Sequence, residues 1–358
     1  MTEQKQKKKI LVIADSPLAP SGVGTQTKYM IEAMLRTGEF SFYCLAGALK
    51  HPDYRLQRIN PYPEDWIIHP VDGYGDKALI RRLLKDLKPD ALWFMTDPRF
   101  YVWLWDMSDE VRKNVPMIYY HVWDNYPYPN YNKQYYDSND MVCTISKVTD
   151  DIVRTVSPDV KCMRIPHTVD TNVFKKDPNG QDLTAIMNEL GLIDGQILLS
   201  TTKLPPEDLA NIYSAADCTI NISDAEGFGL GTLESLSCET PIIVNMTGGM
   251  QEQVTDGKEW FGIGLEPSSK AIIGSQDVPY IYEDRLSKED VVGALVRFYN
   301  LTKEERAEMG RKGRDHVTSN YSFAKYSGNW YQAFQHVFEN HGSWDTRKNY
   351  KHWSIEEL

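Results

Sequence analysis

The chain has 358 residues, 41% hydrophobic and 25% charged. That balance suits an ordinary soluble globular protein, and the length favours two domains. The net charge of −11 argues against wholesale coating of nucleic acid, although a local basic patch needs few residues.

Cys44, Cys143, Cys162, Cys218 and Cys238 are odd in number, widely spaced and mostly within apolar runs. They read as buried free thiols in a reducing, cytoplasmic setting. No C-x-x-C or histidine cluster suggests a metal site. No apolar run is long enough for a membrane span or a signal peptide. Lys5, Lys7, Lys8 and Lys9 read as a solvated tail, with weak attraction to an anionic surface as the alternative.

Lys9 to Asp15 (K-I-L-V-I-A-D) is a continuous apolar run, as expected of a strand covered on both faces. It empties into a loop carrying Gly22 and Gly24, and a helical pattern begins at Thr25. Strand, glycine loop and helix open a nucleotide-binding α/β domain, although G-x-x-x-x-G-K-S/T is absent and G-x-G-x-x-G is incomplete. Strands are predicted over 41–45, 66–71, 90–95, 116–121, 141–145 and 162–165, with a clear helix over 76–87. Such alternation argues for a parallel, doubly wound sheet, in which ligands gather beyond the carboxyl ends of strands. His121 stands at one such end. Asp124, Tyr126 and Tyr128 follow in an aromatic, proline-rich loop. Aromatic faces with polar tips suit a sugar or a flat acceptor; surface packing explains them equally well.

The strongest pattern lies later. Cys218-Thr219-Ile220-Asn221-Ile222 reads as a buried strand, and Leu230, Leu233 and Leu236 mark a helix. Between them lies Ser223-Asp224-Ala225-Glu226-Gly227-Phe228-Gly229. Amide groups left unpaired at a helix start face the same way as the helix dipole, which makes an anion site. Glu226 and Glu234 bracket it. Eight helical residues rise about 12 Å and turn the second carboxylate to within about 80° of the first, so both could line one elongated ligand. An ordinary α/β turn is the alternative. Thr240–Asn245 is a further strand, 260–284 a long connection, and 288–300 and 303–319 two helices. A last helix carries Trp330, Phe334 and Phe338, whose i, i+4, i+8 spacing marks a core face.

Glu226-x7-Glu234 within E-G-F-G resembles the signature of retaining glycosyltransferases of the GT-B fold, family 4. The segment Ile165-Pro166-His167-Thr168-Val169-Asp170-Thr171 is similar to the family's "I-P-N-G-V-D-T", and Gly248-Gly249-Met250-Gln251-Glu252 to its "G-G-x-x-E" turn. The resemblance implies two Rossmann-like parallel-sheet domains facing a cleft. These are an acceptor-side domain (1–168), a nucleotide-sugar-binding domain (169–325), and a helix and tail (326–358) crossing back to the first. It implies a nucleotide-diphosphate-sugar donor, no cofactor and, as no D-x-D is present, no metal. Implied donor contacts are Gly22, Gly24, Gly227, Phe228, Gly229, Leu230 and Glu234. His121 and Glu226 stand at the sugar, with a structural histidine as the alternative for His121. Glycan, small molecule and modified nucleic acid all stay open as acceptor.

One departure stands out. After Phe174-Lys175-Lys176 the chain runs directly into Asp177-Pro178-Asn179-Gly180, where the family has a strand and a loop with an Arg and a Lys for the diphosphate. The second domain therefore reads as shortened. A nucleotide-sugar-binding protein with little turnover is accordingly the second reading.

Overall fold

The structure, a computed structural model, describes residues 7–123, 128–174, 204–273 and 281–351. The chain divides into two compact units. One comprises residues 1–123, 128–166 and 326–358; the other is built around residues 167–325.

The first unit holds a sheet of β1 (Lys8–Asp15), β2 (Phe40–Gly47), β3 (Gln57–Arg58), β4 (Trp66–Pro70), β5 (Ala91–Thr96), β6 (Met117–His121), β7 (Met141–Thr144) and β8 (Cys162–Arg164). Their spatial order is β3-β4-β2-β1-β5-β6-β7-β8. Every pairing is parallel except β3 with β4. The chain leaves β1 toward one edge and returns at β5 to build the other, so β1 and β5 flank a topological switch point. The apolar run of β1 is explained by that central place: Ile10 to Ala14 are buried throughout.

Helix α1 (Gly22–Leu35) starts three residues earlier than the pattern suggests. Ser21 caps it, accepting the Gly24 N–H at 3.0 Å, a contact worth about 1 kcal/mol. Helix α2 (Lys77–Leu87) is capped by Asp76 and ends on Lys88 in the left-handed region. Ile80, Leu83 and Leu84 form its buried stripe. The remaining helices of this part are α3 (Val102–Trp105), α4 (Ser108–Arg112), α5 (Lys133–Asp137) and α6 (Lys147–Val156).

The described part of the second unit runs α7 (Pro206–Ala215), β9 (Thr219–Asn221), α8 (Leu230–Ser237), β10 (Ile242–Asn245), α9 (Gln251–Val254), β11 (Gly262–Leu265), β12 (Ser269–Ile273), β13 (Ile281–Arg285), α10 (Lys288–Tyr299) and α11 (Lys303–Asn320). Strands β11-β10-β9 form a parallel sheet, and β12 and β13 an antiparallel pair. Two expectations are corrected. The stretch 218–222 is not a buried strand: Ile220 and Ile222 are 45% and 49% exposed, because β9 is the edge of the sheet among the described residues. The long connection after Trp260 is not merely a loop, since it contains β11 and most of the β12–β13 hairpin.

Helix α12 (Phe323–His341) buries Trp330 and Phe334 completely. Within the first unit Trp330 meets Trp93 and Tyr120 edge-on, with ring centroids 5.6 and 4.9 Å away, and Phe334 lies 5.3 Å from Phe40. Each such side chain contributes about 1.5–3 kcal/mol by burial. Beyond the helix, Arg347 reaches the buried carboxylate of Asp140 at 2.9 Å, and the Tyr350 hydroxyl donates to Asp109 at 2.6 Å. Among the described residues no helix is long and apolar enough to cross a membrane.

Candidate functional site

In the second unit, β9 and β10 end at the edge from which the Glu226 turn projects. Glu226 is half-buried, and one of its oxygens accepts the Gly229 N–H at 3.2 Å. Burial raises its pKa above the ordinary carboxylate value, opposed by the Gly229 bond and by a bond from the Asn221 side chain. Gly229 takes the left-handed conformation, φ 88°, as the residue preceding α8. The helix therefore begins at Leu230, and Glu226 lies outside it in the turn. The expected helical spacing of the two glutamates holds only for its second half, because the left-handed glycine breaks the first.

Glu234 sits within α8, half-buried, and accepts the Tyr213 hydroxyl of α7 at 3.2 Å. Burial raises its carboxyl to about 7, the Tyr213 bond opposing. The backbone amides of Gly227, Phe228 and Leu230 have no acceptor among the described residues. They stand at or just before the start of α8, where the helix dipole favours an anion. The Phe228 ring points inward, 5.1 Å from His167 and 5.9 Å from Tyr321. Its carbonyl accepts Gln253 Nε2 at 2.5 Å.

The glycine turn before α9 packs against the Glu226 backbone. The Gly249 N–H donates to the Glu226 carbonyl at 3.2 Å. At Gly248, φ 50°, a Cβ would stand 1.6 Å from that same carbonyl oxygen, so only glycine fits. Asn245, fully buried at the end of β10, donates to the Ser223 carbonyl at 2.9 Å. Its Oδ1 has no hydrogen-bond partner among the described residues.

The first unit's candidates fare differently. Gly24 is glycine for an internal reason: a Cβ there would lie 2.7 Å from the Ser16 carbonyl oxygen and 2.8 Å from that of Ala19. The close approach is to its own loop, which accounts for the glycine without a ligand. Gly22 is exposed at the first turn of α1. Ser21 donates to Asp15 at 2.7 Å, and Tyr74 to the other Asp15 oxygen at 2.8 Å.

His121 ends β6 with no exposed surface. Its Nδ1 is 3.0 Å from the Tyr119 hydroxyl and its Nε2 is 2.9 Å from that of Tyr136. Tyr119 spends its own proton on the Thr96 carbonyl at 2.7 Å, so it must accept from Nδ1–H, and Nε2 accepts from Tyr136. That assigns the neutral Nδ1–H tautomer. Burial, which lowers the pKa to about 3, keeps the ring uncharged. As placed, the ring offers neither nitrogen to a sugar. These contacts are those of the structural alternative. Tyr128 is half-buried, and Asp124 and Tyr126 lie outside the described residues.

Tyr213, Asn221, Asn245 and Arg285 were not singled out by sequence. Each meets the turn or Glu234 from another element, and no local spacing marks such partners.

Two units, each with a parallel sheet and one of them carrying the glutamate turn, make up an α/β chain of the GT-B fold class. Solved structures share this fold. Sucrose-phosphate synthase from Thermosynechococcus elongatus superposes with a TM-score of 0.69 at 14% identity, covering 93% of this chain and 100% of that one. HepE of Anabaena, in complex with UDP-glucose, gives 0.62 at 13% identity, covering 92% and 99%. Residues 176–315 of the chain match the family "Glycosyl transferases group 1". The D-inositol 3-phosphate glycosyltransferase of Acidothermus cellulolyticus is 40% identical over 76 residues, 21% of this chain. That match spans only 16% of the relative's length.

Proposed function

We propose that the chain is a retaining, metal-independent glycosyltransferase of the family 4 type that moves a sugar from a nucleotide-diphosphate donor. The Glu226 turn carries this reading: a half-buried carboxylate held beside backbone amides that have no acceptor among the described residues. Glu226 binds the sugar hydroxyls. The amides of Gly227, Phe228 and Leu230 stabilise the diphosphate as negative charge builds on the leaving group. Glu234, eight residues on, accepts from the ribose hydroxyls. His121 fixes the end of β6 through Tyr119 and Tyr136, and Tyr128 is assigned to the acceptor side. The complex of HepE with UDP-glucose supports the donor class; glycan, small-molecule and nucleic-acid acceptors are all compatible with it.

Calorimetric titration with UDP-, GDP- and ADP-glucose tests the reading. One of them should bind, and Glu226→Ala should weaken it at least tenfold, roughly 1.4 kcal/mol. No binding by any of the three overturns the reading. Where transfer to an acceptor is seen, the anomeric configuration of the product by NMR checks retention.

The second reading, a nucleotide-sugar binder with little turnover, is favoured by the passage from Phe174 directly to Asp177-Pro178 without an intervening Arg/Lys loop. Charge-assisted contacts to phosphate are among the strong ones. That stretch from Lys175 to Lys203 lies outside the described residues. Donor binding without release of nucleotide marks the binder.

A further inference from the structure

The chain leaving β11 does not enter a helix at once; it first makes the β12–β13 hairpin. The hairpin is poor core material. No residue of β12 or β13 is fully buried, and Ile272 is 63% exposed. Its contribution is to the turn that carries Glu226. The Asp284 N–H donates to the Asp224 carbonyl at 3.0 Å. Arg285 Nη1 lies 2.6 Å from Asp224 Oδ2, and its Nη2 2.9 Å from Glu283. Asp224 stands two residues before Glu226.

From the other side the same turn is held by Asn245 on the Ser223 carbonyl and by Gly249 on the Glu226 carbonyl. Asn221 accepts the Ser223 N–H at 3.0 Å. These last three contacts come from the sheet and the glycine turn. The hairpin supplies a cation paired with the turn, Arg285 on Asp224.

We propose that Arg285 is a positioning residue for Glu226. Its ion pair with Asp224, backed by the β13 backbone bond, sets the turn so that Glu226 meets the sugar of a nucleotide-sugar. The inference rests on the donor-site reading above. Its physical signature is selective. Arg285 acts on the sugar end of the ligand through Asp224, whereas the nucleotide end is bound by α8. An exposed ion pair is weak, so the effect on affinity is about two- to fivefold.

Titration calorimetry on the full chain decides it, using whichever of UDP-, GDP- and ADP-glucose the unmodified protein binds best, and the matching nucleoside diphosphate. Arg285→Ala and Asp224→Asn should each weaken the nucleotide-sugar about two- to fivefold and leave the diphosphate unchanged. The double variant should lose no more than either single one, and Arg285→Lys should recover part of the affinity. Unchanged nucleotide-sugar affinity overturns the proposal, and so does an equal loss for both ligands, as general destabilisation would cause. If the unmodified protein binds none of the three sugars, the donor-site reading itself falls and takes this one with it.

Discussion

Two carboxylates eight residues apart meet different surroundings, and those surroundings set their chemistry. Glu226 is tied to the Gly229 amide and Asn221, which favour its charged form against burial. Glu234 accepts from the Tyr213 hydroxyl, and burial pushes its carboxyl to about 7. Between its ordinary 4.5 and about 7, the folded protein keeps a proton that the unfolded chain has lost. The stability this group contributes is therefore complete below pH 4.5 and is lost as pH rises through about 7. We expect Glu234→Gln to raise the melting temperature relative to the unmodified protein progressively from pH 5 to pH 8, measured by calorimetry without ligand. Donor binding should run the opposite way. Ribose hydroxyls donating to the carboxylate favour its charged form, so affinity should climb from pH 6 to pH 8 and lose that slope in Glu234→Gln.

At the level of elements, the site is a junction of turns at one sheet edge. The Glu226 turn and the Gly248-Gly249 turn approach so closely that a side chain cannot enter. We expect Gly248→Ala to cost about 2–4 kcal/mol, from the positive φ and the overlap with the Glu226 carbonyl together. The same change should abolish nucleotide-sugar binding at temperatures where the protein remains folded, as read by urea unfolding and titration side by side. The E-G-F-G turn, the G-G turn and the helix at Leu230–Leu236 were legible in sequence, because periodicity and glycine placement are local signals. The hairpin was not. Its partner is a loop some sixty positions earlier, and no residue in either segment announces the other.

Across the whole molecule, the first unit is assembled from stretches far apart in sequence. Helix α12 covers Trp93, Tyr120 and Phe40, all of them inside the first 123 residues. Its tail returns Arg347 to Asp140, whose carboxylate also meets Arg112 at 3.3 Å. Removing residues 326–358 should therefore expose these rings and leave a buried carboxylate short of a partner, a loss of several kcal/mol. The expected result is loss of hydrogen-exchange protection in β1, β2 and β5, with the amides of β10 retaining theirs.

What the sequence determined by itself was everything that repeats or clusters along the chain. The parallel α/β alternation, the apolar stripe of Trp330 and Phe334, and the glutamate turn with its glycines are of this kind, since each is a property of neighbouring residues. The tertiary structure decided what depends on distance in space. It showed His121 enclosed by two tyrosines, Gly24 claimed by its own loop, and Glu226 displaced from the helix by a left-handed Gly229. It also joined Arg285 to Asp224. Burial and pairing across the fold settle which of several polar residues can still face a ligand, and those quantities do not exist until the chain has folded.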